Sequence, residues 1–397
     1  MLIAGFIFAG MRYHSYLNSA IKVIELYNSG EPFSLFLKKY FATDKKYGSK
    51  DRKQITTLCY NFYRLGKSMP GIPVGERIMA ATFLCEQSNN EFLAFHMPEW
   101  NKLITKPLVE KLASVNFDIE KTFPWSTELS DGIDPHRYAS SFFYQPDLFL
   151  RIRPGQKNIV IQKLQDAGLN FTLPDDDCIA LPNSTKLDTV IELDKEAIVQ
   201  DLNSQKVLDV LKKKNHFGSD EAVTVWDCCA ASGGKSILAY DILKGKIDLT
   251  VSDIRGNIIS NLKKRFSAAG IKKYAAFVTD LQKADVKRQT SNYRLIICDV
   301  PCSGSGTWCR TPEQLYFFKE EMIATYVDRQ RKIVAHVIPR LQAGGMFIYI
   351  TCSVFKKENE DIVDLIKEKF HLQLIQMELL KGYDKKADSM FVAVFKK

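Results

Sequence analysis

Four apolar runs, each closing on an aspartate, constrain this chain more than any other feature: Thr224-Val225-Trp226-Asp227, Leu249-Thr250-Val251-Ser252-Asp253, Phe277-Val278-Thr279-Asp280 and Leu295-Ile296-Ile297-Cys298-Asp299. Short apolar runs bounded by turn residues, with helical patterns between them, predict buried parallel strands in a helix-covered sheet. One acid at a strand end often only organises a turn. Four in succession point to a single crevice, because in open α/β sheets ligands bind beyond the carboxyl ends of the strands.

The first run passes into Cys228-Cys229-Ala230-Ala231-Ser232-Gly233-Gly234-Lys235-Ser236 and then a helical pattern. Backbone N–H groups at such a helix start suit an anion, and the two glycines allow close approach. A Walker A loop needs glycine where Cys229 stands, and the G-x-G-x-x-G fingerprint is absent, which argues against ATP and dinucleotides. A ligand carrying a carboxylate remains, such as the methionyl end of S-adenosylmethionine. Asp253 then stands roughly twenty residues on, where an acid hydrogen-bonds ribose hydroxyls.

The fourth run turns at Asp299-Val300-Pro301-Cys302-Ser303-Gly304, and a later strand over residues 346–350 delivers Thr351-Cys352-Ser353 to the same sheet edge. The nine cysteines are an odd count without paired C-x-x-C spacing, so neither a disulfide framework nor a zinc site is indicated. Two thiols converging on one crevice leave nucleophilic chemistry as the expected use.

Before this region the pattern is helical, with Leu17, Ile21 and Ile24 on one face and Ile55, Leu58, Cys59 and Phe62 on another. Lys38, Lys39, Lys45, Lys46, Lys50, Arg52, Lys53, Arg64 and Lys67 cluster here, opposed only by Asp44 and Asp51, with Tyr40 and Tyr47 interleaved. Such a cluster either neutralises phosphates or keeps a helical bundle soluble, and a net charge of +9 leans toward a polyanion. Residues 76–86 and 101–112 are expected helices, and 125–134 a loop near a boundary. A small α/β unit follows: a strand over 149–153 carrying Arg151 and Arg153, a helix over 159–167, short strands at 179–181 and 190–193, and a polar cluster capping a helix through Leu211. The two arginines either touch phosphate or only protect a strand edge. The expected division is therefore a helical domain over 1–140, a small α/β linker over 141–215 and a catalytic domain over 216–397. The apolar opening, residues 2–10, is too short to span a bilayer and is expected to be a dispensable extension, with Met11 an alternative start. No membrane, a reducing cytoplasm and a monomer are expected.

The motifs resemble the Nop/Sun family of RNA cytosine-5 methyltransferases, RsmB-like. Asp227 through Ser236 is similar to its cofactor loop, Asp299 through Gly304 to its fourth motif, and Thr351-Cys352-Ser353 with Glu358-Asn359-Glu360 to its sixth. More loosely, Tyr47-Gly48-Ser49-Lys50-Asp51-Arg52 and the stretch from Leu58 to Arg64 resemble a NusB-like helical domain. The resemblance implies a Rossmann-like methyltransferase domain that uses S-adenosylmethionine, binds RNA, and methylates carbon 5 of a cytosine, in small-subunit ribosomal RNA. It implies Cys352 as nucleophile and Cys302 as the residue that helps release product. Cys229, Ala230, Ala231, Ser232, Gly233, Gly234, Lys235, Asp253, Asp280 and Asp299 would contact the cofactor, with Asp299 also reaching the base. Ser232 in place of a usual proline would loosen the loop, and Trp308-Cys309, replacing an aliphatic and basic pair, would alter substrate contacts. The alternatives are another structured RNA such as transfer RNA, Cys302 as nucleophile in the manner of DNA methyltransferases, and a non-catalytic RNA-binding assembly factor of the same fold.

Overall fold

The computed structural model describes residues 2–43, 46–213, 221–283 and 292–397, with side chains from Met11 onward. Asp44 and Lys45 of the basic cluster lie outside the described residues. Two compact units emerge. The first comprises Met1–Thr127, Asp134–Gln145 and Trp308–Lys319; the second comprises Glu128–Ile133, Pro146–Thr307 and Glu320–Lys397. No helix among the described residues is long and apolar enough to cross a membrane.

The first unit is helical. Helices Leu2–Leu26, Phe33–Thr43, Ser49–Arg64 and Val74–Cys85 bury Val23, Phe33, Leu58, Phe62 and Ile78 in one core. The apolar opening is continuous with the first of these helices. The helix expected over 101–112 is instead two, Pro98–Lys102 and Leu108–Ser114, because Pro107 lacks the N–H needed to continue the first. Lys38, Lys39, Lys46, Lys50, Arg52 and Lys53 are exposed. Arg64 and Lys67 are not part of that surface: buried Arg64 donates to the carbonyls of Phe142 and Tyr144, and Lys67 Nζ donates to the Tyr316 carbonyl at 2.6 Å. Tyr47 is core rather than surface, with the Lys46 ammonium 4.9 Å over its ring.

The second unit holds two sheets. In the smaller, β1 (Leu148–Ile152), β2 (Thr172–Asp175), β3 (Cys178–Leu181) and β4 (Ala197–Val199) run antiparallel in the order β2-β3-β1-β4. The strand expected at 190–193 is a turn; Ile191 still enters the core and Leu193 makes a single bridge to Ala197. Arg151 and Arg153 neither face solvent nor guard an edge. Both converge on Asp241, at 2.7 and 2.6 Å, where they make a largely buried triad. The polar stretch after β4 caps no long helix and ends in a short 3-10 turn, Asp209–Lys212. Its amides are structural: Asn203 Nδ2 donates to the carbonyls of Leu380 and Asp388, and Gln205 Nε2 to that of Gln200.

The larger sheet contains β5 (Val223–Asp227), β6 (Ile247–Asp253), β7 (Ala275–Val278), β8 (Tyr293–Asp299), β9 (Leu341–Thr351), β10 (Gln373–Leu380) and β11 (Met390–Lys396). Its order is β10-β11-β9-β8-β5-β6-β7, parallel from β7 to β9, with β11 antiparallel to both neighbours. Both faces of the central strands are covered, which explains why those strands read as continuous apolar runs: Val225, Leu295, Ile297 and Ile348 enter one core, while Trp226, Ile296, Cys298 and Phe347 enter the other. This is a Rossmann-like arrangement. Strand order reverses between β5 and β8, and there the crevice opens.

Candidate active site

Register sets the acids in a row. Asp227 pairs with Val251 and with Ile297, so Asp253 and Asp299 each lie two residues further along neighbouring strands; Asp253 in turn pairs with Val278, two residues before Asp280. Asp227 is fully buried, and desolvation raises its carboxyl to about 7 despite the 2.6 Å hydrogen bond from Ser236 Oγ. Its other oxygen, Oδ1, is buried without a partner. An orphaned acceptor under the glycine loop is the kind of group a bound ligand would satisfy.

The loop above it is tightly specified. Ala231 and Gly233 take positive φ, at 45° and 85°, and a Cβ on Gly233 would meet Phe266 Cε1 at 2.7 Å. Ala230 N donates to the Ser252 carbonyl and Ala231 N to Asp253 Oδ2. Ser232 does not leave the loop loose. Arg265, itself ion-paired with Asp194 at 2.7 Å, donates to both the Ser232 hydroxyl and its carbonyl. Gly234 opens the helix Gly234–Ile242, so Lys235 points along the crevice, where its Nζ lies 2.6 Å from Asp299 Oδ2. Burial alone would lower the Lys235 pKa; Asp299 more than offsets it and leaves it raised.

Asp253 is not free. Its Oδ1 accepts from Arg255 N and Nε, both at 2.9 Å, and its Oδ2 from Ala231 N and Arg255 Nη2. Burial would raise this carboxyl, but the Arg255 contacts hold it below its ordinary value. Those four bonds use its acceptor sites. A ribose would therefore have to displace the Arg255 side chain, which is about half exposed and able to swing away. Asp280, in the turn after β7, accepts from Gln282 N and pairs loosely with Lys283 at 3.7 Å.

Asp299 of β8 lies opposite Ile350 of β9, and that pairing brings the two thiols together: Cys302 Sγ and Cys352 Sγ are 3.4 Å apart. Cys302 is held well above the ordinary thiol value, first by its hydrogen bond to Cys352 and then by burial. A polar network lies behind them, joining Ser303, Thr351, Ser353, Glu358 and Asn359 of the fourth and sixth motifs to Gln330 and Ser130, which the sequence did not single out. Glu358, fully buried, accepts from Ser303 N at 2.9 Å, Gln330 Nε2 at 2.9 Å and Ser353 Oγ at 2.7 Å. Ser303, Ser305 and Ser353 hydroxyls are mutually within 3.2 Å. Asn359 takes the Thr351 hydroxyl and donates to Ser130 Oγ and the Ser353 carbonyl. Residues 125–134, expected only as a loop, thus contribute Ser130 to the site's support. A signal existed for Gln330: it is a polar residue within the apolar stripe Ile323, Ile333, Val334, Val337. Trp308 and Cys309, expected near substrate, are buried in the helical unit, where Trp308 packs 4.8 Å from Phe318.

The family model of 16S rRNA methyltransferase RsmB/F matches residues 215–394. The carboxy-terminal half is an RsmB/F-type methyltransferase domain. Domains of this type depend on S-adenosylmethionine. The chain is 30% identical over 188 residues to the Bacillus subtilis protein named "Probable ribosomal RNA small subunit methyltransferase B", covering 47% of this chain and 41% of that one. It is 27% identical over 252 residues to a Synechocystis protein of the same name, covering 60% and 55%. The chain thus spans about half the length of these relatives. Among solved structures, PH0851 superposes with a TM-score of 0.71 at 19% identity over 96% of this chain and 98% of that one. NSun6 from Pyrococcus horikoshii, solved with SFG, gives 0.56 at 14% identity over 66% and 94%. At these identities the superpositions speak to the fold. In the RsmB/F-type domain, the orphaned Asp227 oxygen, the pinned glycine loop and the Lys235–Asp299 pair fit a zwitterionic, ribose-bearing cofactor.

Proposed function

We propose that the chain methylates carbon 5 of a cytosine in small-subunit ribosomal RNA, using S-adenosylmethionine and a covalent bond from Cys352. The observation that carries this reading is the 3.4 Å thiol pair on adjacent strand ends beside Lys235 and Asp299. When bound, S-adenosylmethionine supplies an electrophilic methyl group. Cys229 to Lys235 would hold its aminoacid end, and Asp253 and Asp280 its nucleoside end.

Carbon 5 of cytosine is a weak nucleophile until a thiolate adds at carbon 6, which makes the ring an enamine. Cys352 has that role. Asp299 accepts a hydrogen bond from the base. After methylation the carbon 5 proton has to leave so that the carbon 5–carbon 6 double bond re-forms and the Cys352 thiolate departs. Once Cys352 is attached to the base and no longer shares a hydrogen bond with Cys302, the Cys302 thiol gives its own proton to solvent water, and the resulting thiolate takes the carbon 5 proton. The exposed Lys38, Lys39, Lys46, Lys50, Arg52 and Lys53 supply sequence-independent attraction to RNA phosphates.

Trapping tests this. With in vitro transcribed, unmodified small-subunit ribosomal RNA and S-adenosylmethionine, Cys302→Ala should accumulate a denaturant-resistant protein–RNA band, while Cys352→Ala and the double variant give none. A band from Cys352→Ala but none from Cys302→Ala would make Cys302 the nucleophile. No band from either, together with no new 5-methylcytosine from the wild type, would remove the function.

A further inference from the structure

Glu358 is a carboxylate in an unusual place. It is fully buried, and every donor that reaches it among the described residues is neutral: a backbone N–H, a serine hydroxyl and a glutamine amide. Glutamine would satisfy the same three donors, since Ser353 Oγ can turn its proton toward Ser303 or Ser305 and accept instead. A buried charge without a cation is costly, so a group that hydrogen-bonding alone could replace calls for a use of the charge. Its location supplies one. Ser303 is the residue after Cys302, Ser353 the residue after Cys352, and Gln330 also donates to the Pro301 carbonyl just before Cys302.

We propose that Glu358 is a positioning residue for product release: it clasps the Cys302 loop to the Cys352 loop and keeps a fixed negative charge behind Cys302. The proposal rests on the reading of Cys302 as the residue that removes the carbon 5 proton. A negative charge behind Cys302 raises its thiol and makes the Cys302 thiolate a stronger base. Among the described residues, the other groups facing the pair are Tyr326 on the helix Glu321–Val337, whose ring lies 5.5 Å from the Arg329 guanidinium, and Lys235 with its partner Asp299. Burial pushes the Glu358 carboxyl up, and the hydrogen bonds from Ser303, Ser353 and Gln330 act against that. Among these groups Glu358 alone is tied to both cysteine loops.

The test is the pH dependence of adduct decay in single-turnover experiments with the full chain and unmodified small-subunit ribosomal RNA. Wild type should show an acid limb set by Cys302. Glu358→Gln should form the adduct at a rate within about threefold of wild type, yet move the limb about one pH unit lower and reduce the plateau, because a more acidic thiol is a weaker base. An unmoved limb, or equal losses in formation and decay, would leave Glu358 a packing residue. If Glu358→Gln does not fold, Glu358→Asp keeps the charge but shortens the clasp. It should slow both steps while leaving the limb within about half a pH unit, and a limb displaced by a full unit would overturn the proposal. A wild type with no acid limb, combined with no trapping by Cys302→Ala, would sink the reading of Cys302 rather than the role of Glu358.

Discussion

Lys235 Nζ lies 2.6 Å from Asp299 Oδ2, which joins the first residues of the helix after the glycine loop to the end of the strand that leads to Cys302. Each partner is largely buried, so removing one leaves the other's charge with little water to take its place. Lys235→Met and Asp299→Asn should each destabilise the protein by about 1–3 kcal/mol, discounted for the residual exposure of both side chains. The double variant should cost less than the sum. A urea-denaturation cycle measures the coupling, and strict additivity would mean that the two groups do not act as a pair.

A second close approach fixes Cys352 itself. Gly306 N donates to the Cys352 carbonyl at 2.8 Å, and a Cβ on Gly306 would fall 2.1 Å from the Ser389 carbonyl oxygen and 3.0 Å from that of Cys352. Both obstacles are backbone, so neither can rotate away. Gly306→Ala should destabilise by on the order of 2–4 kcal/mol and slow adduct formation in the fraction that folds. Gly304→Ala is the control: its φ of 71° is strained for alanine, but its Cβ would meet only Thr307 Oγ1 at 3.6 Å, and about 1 kcal/mol is expected. Equal losses at the two positions, by thermal denaturation, would put the cost in backbone strain rather than in the clash.

The strands with their acids were legible because burial on both faces writes an uninterrupted apolar run, and the crevice followed from where those runs stop. Cys302 and Cys352 were legible for the same reason. The sites of failure share a physical cause. Arg64, Arg151 and Arg153 have the same charge whether they face water or cap buried carbonyls and carboxylates, so counting charge assigned them to a surface they do not occupy. Ser303, Ser305, Ser353 and Gln330 are ordinary polar residues until packing brings distant loops together. Pro107 was a visible stop within 101–112, and its missing N–H should have divided that helix.

Asp253 is an example of a site residue whose role was legible but whose resting state was not. Arg255 occupies its acceptor positions, yet the Arg255 side chain is 56% exposed, where an ion pair contributes at most about 1 kcal/mol. Arg255→Ala should therefore leave stability nearly unchanged and leave cofactor affinity unchanged or a few-fold tighter, because nothing has to be displaced. Asp253→Ala should weaken it by more than about tenfold. Calorimetry with S-adenosylmethionine alone distinguishes them. A tenfold loss in Arg255→Ala would make the guanidinium itself a contact.

Asp227 contributes a pH dependence to the stability of the free protein. Desolvation raises its carboxyl from an ordinary value of 3.8 to about 7 in the folded state. Between those values the folded state holds a proton that the unfolded state has released, so stability falls as pH rises through this window and levels off above the folded value. Taken alone, the difference amounts to at most about 4 kcal/mol. Asp227→Asn keeps the Ser236 hydrogen bond through its amide oxygen while removing the titration, so its stability should vary less between pH 4 and pH 7 (roughly the window set by the two values). Asp227→Asn should consequently be the more stable protein at pH 8 and lose that advantage near pH 4, as read from denaturant midpoints at each pH. Parallel stability curves for the two proteins would show that Asp227 stays ionised in the folded chain, its charge compensated by groups such as Lys235.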